Sequence, residues 1–383
     1  MALRILLFDA SFSMALSAKR IRPLDLSERK SKMNIVVLAG GLSPERDVSL
    51  STGTMVTNAL RSKGHNAILV DLFLGVESLP ADPADAFAVS GMMPQYGVPE
   101  KAPDLMAIRA SRKSGFSAQI GSGVLELCRA ADITFLALHG GIGENGTLQA
   151  FFDLCDIRYT GSPSIGCALA MDKCVTKSLL QSKGILTAGW KVAHAGERFD
   201  VDAFPVPCVV KPNCGGSSIG VTIVHDAESL ASAIDEGFRY EDELIIEEYV
   251  SGMELSAGVI GSGDDLAALP LIEIVPKHGF YDYQHKYQKG WTDEIVPARI
   301  SAELTERVQA LALGAFRALK LDIYARIDFL LTADGRAFCL EANTLPGMTP
   351  TSLLPQEAEK TGVDYASLCE TIVSHSMRRY QDR

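Results

Sequence analysis

The segment from Ile323 to Asn343 constrains the fold more tightly than any other part of this chain. Two runs of alternating apolar residues flank Asp334-Gly335, a favoured two-residue hairpin turn. A two-residue loop pairs Ala333 with Arg336. Counting outward sets Asp328 opposite Glu341 and Arg326 opposite Asn343. Side chains alternate across a strand, so these four share one face. The other face carries Ile327, Phe329, Leu331, Phe338 and Leu340 and reads as core. Opposed carboxylates with Cβ atoms about 5 Å apart repel unless something positive joins them. Asp328, Glu341 and Asn343 are all oxygen donors, a set that suits Mg2+ bridging phosphates. The plainer alternative is a solvated polar face with a raised carboxylate pKa; Arg326 and Asn343, which complete a set for handling phosphate, favour the metal.

The rest of the chain is read around this hairpin. Asn34-Ile-Val-Val-Leu-Ala39 is a strand ending in Gly40-Gly41, followed by a helix from Val48 to Ser62 and a strand from Ala67 to Leu72. That is an open α/β beginning, with ligand-binding loops at the strand ends. Residues 75–122 contain five prolines and little periodicity, and read as an irregular insertion without an assigned role. A helix is expected near Lys173 to Lys183, strands at 208–211 and 219–224, and helices at 303–319 and 357–377. The division follows as 1–32, a disordered extension; 33–138, an N-terminal α/β domain; 139–246, a central domain; and 247–383, a C-terminal domain holding the metal site.

Three further segments carry chemistry. Pro212-Asn-Cys-Gly-Gly-Ser-Ser-Ile-Gly220 lies between strands, and its small residues Gly215, Gly216, Ser217 and Ser218 let backbone N–H groups approach phosphate. No Gly-Lys-Ser/Thr follows, so it is a flap rather than a Walker loop, with Lys211 before it; an ordinary hairpin remains the alternative. Lys277 to Gly290 is too polar for a core strand and too aromatic for an idle linker. It reads as a lid that places Lys286 on a phosphate and Tyr287 near substrate, or else as an exposed edge strand. His139-Gly-Gly-Ile-Gly-Glu-Asn-Gly146 turns from a buried strand into a helix. Glu144 there, and Glu45 near the first helix, are either first-turn acids or carboxylates aimed at a substrate ammonium.

Composition narrows the classes. The net charge is −11, which argues against nucleic acid and anionic membranes as partners. No apolar run approaches the roughly 20 residues of a membrane span. The eight cysteines show no Cys-x-x-Cys spacing and read as reduced core thiols. The first 32 residues carry +4 against −15 for the remainder, and read as an extension to a fold that starts at Met33.

Taken together, the segments resemble the D-alanine:D-alanine ligases of the ATP-grasp superfamily. The residues that carry the resemblance run in order: Ser43 to Ser49, His139 to Gln149, Tyr159 to Gly161, Met171 to Lys173, Lys211 to Val221, Glu247 to Val250 with Glu254, Tyr281 to Tyr287, Arg326 to Asp328, and Glu341 to Thr349 with Ser352. The resemblance implies an α/β (α+β) ATP-grasp fold behind a Rossmann-like pre-ATP-grasp domain. It also implies a cytoplasmic, homodimeric enzyme that uses ATP and two Mg2+ ions, with Mn2+ as a substitute, to join two D-alanines through a D-alanyl phosphate for peptidoglycan synthesis. By the same resemblance, Lys173 and Lys211 hold ATP phosphates, Glu247, Tyr249, Val250 and Glu254 hold adenosine, and Asp328, Glu341 and Asn343 hold the metals. Glu45 anchors the first D-alanine ammonium through a link with Ser217 and Tyr287. Arg326 and the Gly347 amide stabilise the oxyanion, and Ser352 contacts the second D-alanine carboxylate. Tyr287 accompanies dipeptide rather than depsipeptide formation. Asn145 departs from the family, which usually has Asp there.

D-serine or D-lactate as second substrate is the alternative within that family. A dehydrogenase is the rival enzyme class, on the strand-Gly-Gly-helix at 35–50, but Gly-x-Gly-x-x-Gly is missing. A non-catalytic nucleotide-binding module is the third reading, and it leaves Arg326 and the carboxylate pair without a task.

Overall fold

The computed structural model describes residues 32–381 apart from 90, 100–101, 113–117, 202–203, 217 and 278–290. The extension expected before Met33, nearly all of the expected lid, and with it Ser217, Lys286 and Tyr287, lie outside the described residues.

Strands β1 (Asn34–Ala39), β2 (Asn66–Asp71) and β3 (Ile133–Leu136) form a parallel sheet in the order β2-β1-β3. The continuous apolar run of β1 is what a parallel strand covered on both faces requires, and Ile35 to Ala39 are buried. The helix Arg46–Ser62 packs on one side of this sheet. The last helix, Tyr365–Gln381, lies against it, and Leu368, Ile372 and Val373 join the same core. The C-terminal end thus completes the first layer.

Strands β4 (Trp190–His194), β5 (Cys208–Pro212), β6 (Thr222–Val224) and β7 (Glu243–Glu248) form an antiparallel sheet in the order β4-β7-β5-β6. Cys208, Val210, Leu244 and Ile246 pack under the helix Ala227–Gly237 through Leu230 and Ile234. Alternation then turns Val209, Lys211 and Glu247 to the opposite face, where they line a cleft.

The other wall of that cleft is a six-stranded sheet. It comprises β8 (Met253–Gly261), β9 (Ala267–Ala268), β10 (Ile272–Pro276), β11 (Thr292–Ile295), β12 (Ile323–Leu331) and β13 (Ala337–Asn343). Its order is β11-β10-β8-β12-β13, with β9 beside β8. The helix Ala302–Ala318 covers the far face with Val308, Ala312 and Phe316, against Ala257, Val259, Ala325 and Ile327.

The hairpin of β12 and β13 pairs Arg326 with Asn343 and Asp328 with Glu341, as counted from the sequence, but by another route. Gly335 N–H donates to the Thr332 carbonyl, and Gly335 sits at φ +82. This is a three-residue loop, a type I turn closed by a left-handed glycine, so the two-residue loop was a miscount. Leu331 pairs with Ala337 and Phe329 with Cys339. A β-bulge between Asp328 and Phe329 then restores the expected pairing at the carboxylates. The face assignment changes with it. Ala337 and Cys339 join the core, whereas Phe338 and Leu340, expected in the core, line the cleft with Leu330.

Two other expectations need correction. The helix expected over 357–377 is two helices, Leu353–Glu359 and Tyr365–Gln381, separated at Gly362 with φ +88. The insertion at 75–122 is not wholly irregular: it contains a short 3-10 turn at Pro83–Phe87 and a helix at Leu105–Ser111.

Candidate functional site

Between the four- and six-stranded sheets lies a cleft of about 470 Å3. Lys173 enters it from the start of the helix Lys173–Ser182, whose N-terminus is capped by Asp172 Oδ1 accepting from Val175 N–H at 2.9 Å. Lys173 is buried, and its Nζ donates to the carbonyls of Asn213 at 3.2 Å and Gly215 at 2.5 Å. The helix start and the glycine loop are thereby tied together. Gly215, Gly216 and Ser218 line the cleft, as do Tyr249, Val250 and Glu254 on its opposite rim.

Glu247 is the electrostatic centre of the cleft. It is buried and meets Lys211 Nζ, while Lys177 Nζ stands 2.9 Å away. Burial pushes its carboxyl up, but the two ammonium groups outweigh that and hold it below the usual range. Lys177 also donates to Thr187 Oγ1 and to the Ala188 carbonyl at 3.0 Å. Sequence reasoning passed over Lys177, although its spacing of four from Lys173 places both on one helix face.

At the floor, the hairpin brings Arg326, Asp328, Glu341 and Asn343 together. Arg326 Nε donates to Asp328 Oδ1 at 2.9 Å and Nη2 to Oδ2 at 2.8 Å. Asn343 Nδ2 donates to Asp328 Oδ2 at 3.0 Å and to Glu341 Oε1 at 3.4 Å. Two carboxylates and an amide whose rotation presents oxygen form a donor set that fits a hard divalent cation.

Beyond this junction is a second, smaller pocket of about 260 Å3. Gly216, which also lines the large cleft, borders it, and a methyl group on Gly216 would stand 3.7 Å from Glu45 Oε2. Glu45 is joined by Val48, Ser51 and Met55, one face of the first helix. His139 is buried and pushed down by that burial. Its Nδ1 faces the Leu345 carbonyl at 3.0 Å, which fixes N–H there and leaves Nε2 to accept from Thr52 Oγ1 at 3.1 Å. Glu144 accepts from the backbone N–H of Gly140 at 2.9 Å and of Leu345 at 3.4 Å. Desolvation, helped by Glu45, raises its carboxyl to about 7. Just before the next helix, Asn145 Oδ1 accepts from Thr147 N–H at 3.0 Å.

The far side of this pocket is Gly347, Thr349 and Ser352. Ser352 Oγ accepts from Thr349 N–H at 3.1 Å, and a Cβ on Gly347 would stand 2.9 Å from it. Glu294 of β11 also lines the pocket and accepts from Gln356 Nε2. So does Val98, from the insertion that had no role. Residues 91–98 lie across the first helix: Arg61 Nη1 donates to the Gly91 carbonyl at 2.7 Å, Asn58 exchanges hydrogen bonds with the Met93 backbone at 2.8 and 3.0 Å, and Tyr96 Oη donates to Asp47 at 2.7 Å. Neither Glu294 nor Val98 had a signal in the sequence.

Two family models match this chain. "D-ala D-ala ligase N-terminus" covers residues 34–162 and "D-ala D-ala ligase C-terminus" covers 179–374. A D-alanine–D-alanine ligase of Pediococcus pentosaceus is 45% identical over 353 residues, spanning 91% of this chain and 99% of that protein. One from Lacticaseibacillus casei is 41% identical, spanning 91% and 97%. Among solved structures, a Bacillus anthracis D-alanine–D-alanine ligase complexed with ATP superposes with a TM-score of 0.69 at 29% identity, over 91% of this chain and 99% of that one.

Proposed function

The chain belongs to the D-alanine–D-alanine ligase family, with its ATP-grasp fold, and joins two D-alanines into D-alanyl-D-alanine for peptidoglycan; from that premise we propose how its two cavities divide the work. The observation that carries the reading is their junction. Gly216 borders both cavities, Asp328 and Glu341 line the large cleft, and Arg326 and Asn343 line the small pocket.

ATP occupies the large cleft. Lys173 and Lys211 meet its phosphates under the flap of Gly215, Gly216, Ser217 and Ser218. Glu247, Tyr249, Val250 and Glu254 receive adenosine, and the apolar trio Leu330, Phe338 and Leu340 supports its non-polar face. Asp328, Glu341 and Asn343 would hold two Mg2+ ions, for which Mn2+ would substitute, and the chemistry so supplied would be the offsetting of phosphate charge. Both D-alanines sit in the small pocket. Glu45 holds the ammonium of the first, whose carboxylate points to the junction. Arg326 and the Gly347 N–H face the oxyanion that forms when the second amine attacks. Ser352 holds the second carboxylate. Lys286 and Tyr287 belong to the closing segment that keeps water from the acyl phosphate.

In this reading the chain divides near 138 and 246, with residues 1–32 an extension. It works in the cytoplasm as a homodimer. No helix among the described residues is long and apolar enough to cross a membrane, and mass measurement in solution checks the dimer. The D-serine or D-lactate alternative is not favoured, since the relatives at 45% and 41% identity are named for D-alanine.

The test is ADP release and product analysis with D-alanine, D-serine or D-lactate. ADP release should require D-alanine and yield dipeptide even with equimolar D-lactate. Asp328→Asn should cut turnover and raise the Mg2+ requirement with the fold intact. Predominant depsipeptide, or unchanged magnesium dependence, would overturn these assignments.

A further inference from the structure

Charge counting in the small pocket leaves one carboxylate without a task. Two D-alanines bring two ammonium groups, and Arg326 is the only lysine or arginine among the described residues that line the pocket. Three carboxylates line it: Glu45, Glu144 and Glu294. Glu45 is taken by the first ammonium in the reading above. Glu144 is committed to the backbone, accepting from Gly140 N–H and Leu345 N–H. Glu294 remains.

The position of Glu294 is built rather than accidental. On β11 its neighbour Asp293 faces solvent and pairs with Lys277 at 3.1 Å, so alternation turns Glu294 inward. There Gln356 Nε2 donates to Glu294 Oε2 and also to the Thr351 carbonyl at 2.8 Å. Gln356 lies four residues, one helical turn, beyond Ser352, and its N–H bonds to the Ser352 carbonyl at 3.1 Å. The hydroxyl expected to hold the second carboxylate and the carboxylate of Glu294 are therefore fixed by the same helix start. Desolvation raises the Glu294 carboxyl, opposed by Gln356 and by the charge of Arg326; a cation bound beside it would relieve that cost.

We propose that Glu294 anchors the ammonium of the second D-alanine and so favours the binding of an acceptor that carries an amine over one that carries a hydroxyl. The proposal rests on the reading that both D-alanines occupy the small pocket. An acceptor held by Ser352 at its carboxylate and by Glu294 at its ammonium meets both of its charged groups within the small pocket. D-lactate offers no charge to Glu294 and gains nothing from it.

The experiment uses the full chain and three variants: Glu294→Gln, Glu294→Asp and Gln356→Met. Initial rates over a wide range of D-alanine separate the Michaelis constants for the donor and acceptor sites, with that for ATP measured alongside. Glu294→Gln is close in shape and should raise the acceptor constant tenfold or more while leaving the donor and ATP constants within about twofold. A tenfold change corresponds to about 1.4 kcal/mol. Glu294→Asp should recover part of the loss, and Gln356→Met should show a smaller rise because the carboxylate is kept but released. With equimolar D-alanine and D-lactate, the depsipeptide share should rise in Glu294→Gln. An unchanged acceptor constant in Glu294→Gln overturns the proposal. So does an equal loss of dipeptide and depsipeptide synthesis, the mark of a purely structural residue. Failure of the unmodified chain to make dipeptide would instead sink the assignment of function, which separates the two outcomes.

Discussion

In the large cleft, Glu247 is met by Lys177 and Lys211, Glu273 by Arg299, and Asp328 by Arg326. In the small pocket, Glu144 is met by two backbone N–H groups and Glu294 by an amide. The consequences run opposite ways. Glu247 and Glu273 are held below their usual range, whereas Glu144 and Glu294 are pushed above it. A carboxylate that carries its own cation is finished as an electrostatic unit and organises the lysines around it. A carboxylate given only neutral donors keeps an unmet preference for positive charge, which the backbone donors of Glu144 offset in part and which leaves Glu294 suited to a cationic ligand. The first arrangement suits a ligand of phosphates, the second a ligand of ammonium groups.

The largest effect should come from dismantling the finished unit. Glu247→Leu leaves Lys177 buried without its carboxylate, and removing one member of a buried ion pair costs about 3–5 kcal/mol. Denaturant unfolding should show a loss of that size. A change below about 1 kcal/mol would mean that the lysines escape to water and that the contrast between the cavities is overdrawn.

A second effect is set by pH in the small pocket. Burial, helped by Glu45, pushes the folded Glu144 carboxyl up to about 7, from an ordinary value of 4.5. Its contribution to stability is therefore fully present below the unfolded value and is lost as pH rises through about 7. Allowing for partial solvent access, the loss is about 2 kcal/mol between pH 4.5 and 8. Glu144→Gln should flatten that part of the stability profile. An identical pH slope in Glu144→Gln and the parent would remove Glu144 from the comparison.

The smallest effect concerns the strap at 91–98. Tyr96→Phe removes one partly exposed hydrogen bond to Asp47, worth about 0.5–1.5 kcal/mol. The change should appear in thermal stability and in the D-alanine Michaelis constants, leaving that for ATP unaltered. An equal shift in the ATP constant would show that the strap does not belong to the small pocket alone.

What could be read from the sequence follows how local each signal is. The β1 strand is an apolar run closed by a glycine pair and was legible to the residue, whereas the Asp328–Glu341 pairing came out as counted only because the bulge offset the miscounted loop. Phe338 and Leu340 were misplaced because alternation cannot register a bulge: the extra residue costs no composition and leaves no periodic trace. The break at Gly362 was hidden because apolar spacing persists on both sides of it. Glu294 faces the small pocket only because β11 pairs with β10, placing Glu294 opposite Ile274, a contact between strands that no local pattern encodes. Val98 is positioned by Asn58, Arg61 and Asp47 of a distant helix, so the insertion could not disclose its place. Ser217, Lys286 and Tyr287 rest on the family resemblance.

The bulge beside Asp328 has a consequence for changes of chain length. Strand β12 is held along its whole length by β8, from Ile323 opposite Gly261 to Leu331 opposite Met253, so its position does not depend on how the hairpin is closed. An extra residue among Ala333, Asp334 and Gly335 would enlarge the loop while Asp328 stayed opposite Glu341. Removing Leu340 would straighten β13 and leave the same two carboxylates facing one another. Insertions and deletions can therefore accumulate at the tip and at the bulge without moving the chemistry, because pairing is fixed from the central strand outward.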